Sequence, residues 1–249
     1  MIDARTVQYH VRRKINRMNS KYSGYIKPSD LDEYINESLS VWTVNNIAKA
    51  EINSETRADL RILEVKDKSL NFKPSKGKPK VVAELPSNHL RTIRRRLKAS
   101  VDCGEPHLDE CKGCIDRDLK IRIAQSGEID DLLDDPYWKP SFEWRETIGD
   151  EASDGLHVWT DGNFKVNDVF IDYYRKPLEV RTPSVMKEGF YTIGNKTYNK
   201  DVGLELDQTY QVNEITDLAA LFILRDLSDG QEYQAQINKI LNTQQIHLT

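Results

Sequence analysis

Leu156-His157-Val158-Trp159-Thr160-Asp161-Gly162-Asn163, followed by the run from Val166 to Tyr174, is the stretch whose reading decides the fold. β-Branched and aromatic residues on both sides of Asp-Gly have the pattern of two strands. Asp-Gly itself suits the positive φ angles of a tight turn. The reading is a β-hairpin, with Pro177 and Pro183 ending that sheet edge.

Working outward, Leu119-Lys120-Ile121-Arg122-Ile123 alternates with period two and reads as a strand, and Val81 to Pro86 as a short one. His89 to Val101 fits strand or helix. Lys73 to Lys80 is a basic loop with no apolar residue to bury, and Ser126 to Leu133 is a short acidic helix stopped by Asp135-Pro136. Both chain ends read as helical. Val7, Val11, Ile15 and Met18 make one apolar stripe, with Arg5, Arg12, Arg13, Lys14 and Arg17 on the other face. After a break at Ser23-Gly24-Tyr25, Ser29 is the expected N-cap of a second helix carrying Leu31, Tyr34, Ile35, Leu39 and Trp42, so the two form a hairpin. Asn213 is the expected cap of a helix with Ile215, Leu218, Ala219, Phe222 and Ile223, and Tyr233, Ile237, Ile240 and Leu241 stripe another. The fold class is therefore α+β: a helical part over 1–66, a β-rich insert over 67–204, and C-terminal helices over 205–249 packing on the first part.

Of the 249 residues, 38% are hydrophobic and 31% charged, polar for a globular chain yet not disordered. No stretch approaches the roughly 20 apolar residues that span a bilayer, and Met1 to Arg5 leads into no signal-like apolar run. Cysteines confined to Cys103, Cys111 and Cys114 fit a reducing cytoplasm better than a disulfide framework. The net charge of −4 conceals two blocks: Arg61 to Ser100 has twelve Lys/Arg against three acids, net +9, and Asp102 to Gly155 sixteen acids against six bases, net −10. Blocks of opposite sign pair within a fold, pair between identical subunits, or face different partners. A head-to-tail ring needs such complementary patches.

The chemistry-bearing motifs are few. Cys103, His107, Cys111 and Cys114 put three thiols and an imidazole within twelve residues, with a Cys-x-x-Cys pair around Gly113 able to face one tetrahedral zinc. The spacing lacks the second well-spaced pair of a zinc ribbon. It leaves open a structural zinc, surface cysteines in a turn, and a redox pair at Cys111 and Cys114. No cofactor other than that zinc is expected. The acidic run Glu128 to Asp135 does not follow the ligand pattern of an EF-hand loop. No phosphate loop, nucleophile elbow or His-Glu-x-x-His is found, and no enzyme is expected. Lys73, Lys76, Lys78, Lys80, Arg94, Arg95 and Arg96 are the candidates for contact with DNA or a partner, without sequence readout.

Three strings in order, Glu84-Leu85-Pro86-Ser87-Asn88-His89-Leu90, Ile129 to Pro140 and Val169 to Pro177, followed by the helix at Glu214 to Ala219, carry a resemblance. The chain resembles the neck ring (head–tail connector adaptor) proteins of crAss-like tailed bacteriophages, and the likeness covers most of its length. It implies a phage connector-adaptor-like fold and a structural virion protein, assembled in the bacterial cytoplasm. Such a protein forms a ring, usually twelve-fold, below the portal and extends the DNA channel toward further neck or tail rings. It also implies ring and portal contacts through the helical part, with Gln231 to Thr249 reaching the portal or a neighbour. A nucleic-acid-binding or other assembly module using residues 73–98 is the alternative, and the acidic total charge argues against it. The Cys103–Cys114 cluster has no counterpart in the general adaptor pattern. A zinc site there gives one zinc per chain on elemental analysis, lost on replacing Cys111 and Cys114 by serine; a metal-free chain discards the zinc reading.

Overall fold

The computed structural model describes residues 1–18, 25–50, 52–75, 79–101, 115–125, 127–193, 195–206 and 208–227. It holds helices and one large curled mixed sheet, an α+β chain, in two compact units: Met1–Ile62 with Pro177–Thr249, and Leu63–Lys176.

In the first unit α1 (Ala4–Met18), α2 (Pro28–Ala50), the short α3 (Ser54–Asp59) and α5 (Thr209–Leu227) supply the helices. The expected hairpin of α1 and α2 is not the principal contact, because both helices pack mainly on α5. The physical reason lies in α5, whose buried Val212, Ile215, Ala219, Ala220, Ile223 and Leu224 form the richer apolar surface. Polar bonds fix the pairings: Trp42 Nε1 donates to Glu214 at 2.7 Å, Tyr34 OH to Asp226 at 2.8 Å, and Lys14 pairs with Asp217 at 2.7 Å. Two expected caps fall inside their helices. α2 begins at Pro28, a residue suited to the first helical position, and α5 begins at Thr209, four residues before Asn213.

Residues 177–204, expected with the insert, fall in this helical unit, and bonds to Ile2 and to α2 help hold them there. Ile2 and Leu204 exchange backbone hydrogen bonds at 2.8 and 2.9 Å. Asp32, fully buried on α2, accepts from Gln8 Nε2 at 2.8 Å, Thr182 N at 2.8 Å, Thr182 Oγ1 at 2.9 Å and Tyr191 OH at 2.5 Å. Tyr191 lies on β9 (Tyr191–Ile193), which pairs with β10 (Lys196–Tyr198). Beside this network Arg181 pairs with Glu33 at 2.9 Å and Glu179 at 2.7 Å, and its guanidinium lies 4.3 Å over Tyr198.

The second unit is the sheet. Its strands are β1 (Glu64–Leu70), β2 (Phe72–Pro74), β3 (Lys80–Ala83), β4 (His89–Val101), β5 (Ile115–Ile123), β6 (Glu146–Ala152), β7 (Gly155–Trp159) and β8 (Lys165–Arg175). They lie in the order β1-β8-β4-β5-β6-β7-β3-β2. β1 and β2 occupy opposite edges, yet only Asn71 separates them in the chain. They are successive halves of one strand, the first pairing with β8 (Leu70 opposite Val169) and the second with β3 (Phe72 opposite Ala83). The sheet therefore curls until its two edge strands join end to end at Asn71. Its inside is one cluster that includes Leu70, Ala83, Leu97, Ala99, Leu119, Ile121, Leu156, Val158, Val169 and Ile171. Each leucine, isoleucine or valine among them contributes about 1.5–3 kcal/mol on burial.

Closure overturns the expected hairpin. β7 and β8 are both strands and Gly162 has the turn φ of +80°, but β7 pairs with β3 and β6, and β8 with β1 and β4. Alternation and turn residues specify strands and a turn without specifying who pairs with whom. Here the link from Thr160 to Phe164 crosses the end of the curled sheet, and Phe164 joins the core with Phe142 6.2 Å away. Gly155 answers a tight approach: a Cβ on it would stand 2.3 Å from the Ala83 carbonyl oxygen, and its φ of +141° suits glycine. His89–Val101 is strand throughout. β5 and β6 run parallel, joined through α4 (Ile129–Asp134), whose Ile129, Leu132 and Leu133 pack against Ile148 and Trp159.

Asp32 yields a stability prediction. Burial raises its carboxyl above the ordinary value of 3.8, outweighing the bonds from Tyr191, Gln8 and Thr182 that lower it. A carboxyl raised on folding contributes stability that is complete below the unfolded value and is lost as pH rises through the folded one. Asp32→Asn, which does not titrate, removes that loss from the melting temperature measured on raising the pH from about 4. Asp32→Ala orphans three donors, Thr182 N, Thr182 Oγ1 and Tyr191 OH, and costs about 3 kcal/mol in urea unfolding.

Candidate interaction groove

The sequence Arg94-Arg95-Arg96-Leu97-Lys98-Ala99 turns alternate side chains to opposite faces, so Leu97 and Ala99 enter the core. Register shifts at His89/Arg91, Thr92/Arg94 and Lys98/Ala99 interrupt this period against β8. On its other side the β4–β5 ladder ends at Arg96 opposite Lys120; beyond it β4 continues with β8 while β5 continues with β6. Where the strands part lies a groove of about 340 Å³, lined by Ile93 to Arg96, Asp118 to Ile121, and Arg145.

Side chains bridge the parting. Arg95 on β4 reaches Glu151 on β6 through Nε and a terminal nitrogen, both at 2.7 Å, and Thr92 Oγ1 donates to the same oxygen at 2.7 Å. His89 Nε2 lies 2.7 Å from Thr92 Oγ1, its ring tilted against Tyr173, whose hydroxyl donates to Asn88 at 3.0 Å. Burial holds the His89 imidazole below its usual range, so it is neutral at pH 7. Arg96 donates to Asp67 at 2.7 Å, stands 3.6 Å from Asp118, and lies 4.5 Å over the Phe170 ring. Asp67 is itself a left-handed residue, φ +50°, at the bulge of β1, and its backbone N–H donates to Asp172 at 2.7 Å.

The basic candidates read from sequence thus separate. Arg95 and Arg96 are spent on internal pairs, whereas Arg94 is exposed at the groove. Lys73 on β2 pairs with Glu84 at 2.8 Å, a fully wetted pair contributing little, and Lys80 on β3 lies 5.4 Å over Trp159. In strand order β5, β6 and β7 stand between these two lysines and β4, so the five described candidates do not form one patch. Lys76, Lys78, Cys103, His107, Cys111 and Cys114 lie outside the described residues; Val101 and Ile115, the strand residues flanking the cysteine cluster, pair with each other. Among the described residues no group of three His, Cys, Asp or Glu is placed to hold a metal ion. No helix among them is long and apolar enough to cross a membrane.

Sequence reasoning missed Lys120 and Arg145. Lys120 reads as the outward residue of an alternating strand, and its neighbours across the gap depend on where the β4–β5 ladder stops. Arg145 adopts a left-handed φ of +57°, which no residue-type rule assigns to arginine, while its carbonyl accepts from Lys120 N at 2.8 Å. Among the described residues Arg94, Lys120 and Arg145 are exposed and form no direct ion pair, though Arg94 stands opposite Asp172 and helps hold the Asp67 carboxyl low.

Glu151 is the one acid answering both Arg95 and Thr92. Glu151→Ala leaves a half-buried guanidinium uncompensated and costs about 2 kcal/mol in urea unfolding. In a double-mutant cycle with Arg95→Ala, the pair costs clearly less than the sum of the two single variants. No protein-family model and no curated protein matches the chain.

Proposed function

We propose that this protein is a structural subunit of a ring in the neck of a tailed bacteriophage. It would sit below the portal, link capsid to tail, and extend the DNA channel without reading sequence. The observation that carries the reading is the division of the chain: N- and C-terminal segments build one helical unit, and a separately folded sheet is inserted between them. That is the arrangement implied by the resemblance to crAss-like phage connector adaptors. A β unit whose pairing is completed within its own sequence suits a module carried by a helical ring body. On this reading the partners are further copies of the chain, the portal protein and other neck or tail rings. The protein is assembled in the bacterial cytoplasm, resides in the virion, and acts through assembly without catalysis of its own.

A second reading, a nucleic-acid-binding module, draws on the exposed Arg94, Lys120 and Arg145 around one groove. The two readings part in one experiment. Native mass measurement and particle imaging of the purified protein, with and without the phage portal, give ring-sized assemblies or a portal-bound ring. A stable monomer that ignores portal overturns the ring reading. Sequence-independent DNA binding that survives physiological salt favours the second one.

A further inference from the structure

We propose that the groove between β4 and β5 is the receiving half of a head-to-tail contact between copies of this chain. The inserted half is the acidic outer face of α4, with Glu128, Asp130, Asp131 and Asp134 of the next copy. The inference rests on the ring reading and names the chemistry of its interface.

Four observations carry it. First, Arg94, Lys120 and Arg145 converge on one groove, all exposed and none in a direct ion pair among the described residues, although Arg95 and Arg96 beside them are fully engaged. Second, the groove of about 340 Å³ has room for a few acidic side chains, not for an extended strand or helix. Third, α4 is fixed to the sheet by Ile129, Leu132 and Leu133 on its apolar side, so its acids are held outward. Glu128, Asp130, Asp131 and Asp134 are exposed and, among the described residues, pair with no cation.

Fourth, the two faces do not pair with each other within one chain. Both belong to the same folded sheet unit, where α4 packs against β6 and β7 and the groove opens between β4 and β5, and no ion pair joins them among the described residues. Complementary patches on different faces of one body make a heterologous contact, the kind that closes into a ring. The total charge of −4 and the exposed carboxylates of α4, which pair with no cation among the described residues, favour a carboxylate-bearing copy over nucleic acid.

The test is a charge exchange on the full chain. Lys120→Glu with Arg145→Glu makes a groove variant, and Asp130→Lys with Asp131→Lys and Asp134→Lys makes a helix variant. All five positions are exposed, and melting curves check that both variants fold. Each variant alone is expected to lose self-association at least tenfold by sedimentation, and an equimolar mixture to regain it, because an acidic groove then meets a basic α4 and the reverse. If each variant assembles like the unaltered chain, or the mixture stays dispersed while the unaltered chain assembles, the groove contact is overturned and the ring reading stands. If the unaltered chain remains monomeric with and without portal, both fall. If duplex DNA binds the unaltered chain at physiological salt and not the groove variant, the groove is a nucleic-acid site and the proposal is overturned.

Discussion

The β unit depends on the continuity of Glu64 to Pro74 through Asn71. Because one strand serves as both edges, the sheet must curl, and curling decides nearly everything else in the unit. Inward side chains from seven of the eight strands, all but β6, meet in one cluster, and consecutive strands such as β7 and β8 need not be neighbours. The local twist that makes this tolerable is taken up at bulges, in β1 at Asp67 and in β4 at three places. One of these bulges is stitched by the Arg96–Asp67 pair.

What could be read from the chain follows from which signals are local. Strand and helix identity was largely legible, because alternation at Leu119 to Ile123 and the stripe of Val7, Val11 and Ile15 depend only on near neighbours. Pairing was not. Asp161-Gly162-Asn163 announced a turn, and the Asp161 side chain does accept from Asn163 N at 2.8 Å, but a turn followed by a strand has no label naming its partner. The helical unit repeats the lesson. The stripes of α1 and α2 were visible, while their shared attachment to α5, some 160 residues later in the chain, is a tertiary outcome that no local pattern encodes.

The candidate groove was half legible for the same reason. A run of three arginines is visible to anyone counting charge, and all three line the groove. Which arginine remains available is decided by partners far off in sequence: Glu151 takes Arg95, Asp67 takes Arg96, and Arg94 is left. Lys120 and Arg145 arrive from the acidic block, whose net −10 hides individual cations. Net charge per segment is thus a poor guide to net charge per face. Asp32 shows the converse, an unremarkable acid in a helix that becomes the meeting point of α1, α2, β9 and the segment at Thr182.

The pairing of Glu64 with Tyr174 has a consequence for how such a chain can change. The β unit begins and ends on adjacent antiparallel strands, so its two chain crossings stand side by side, a few ångströms apart. A segment with neighbouring ends can be removed and replaced by a short turn, or exchanged for a different module, without stretching whatever it is spliced into. The helices and the sheet are therefore free to diverge at different rates, each answering to its own surroundings.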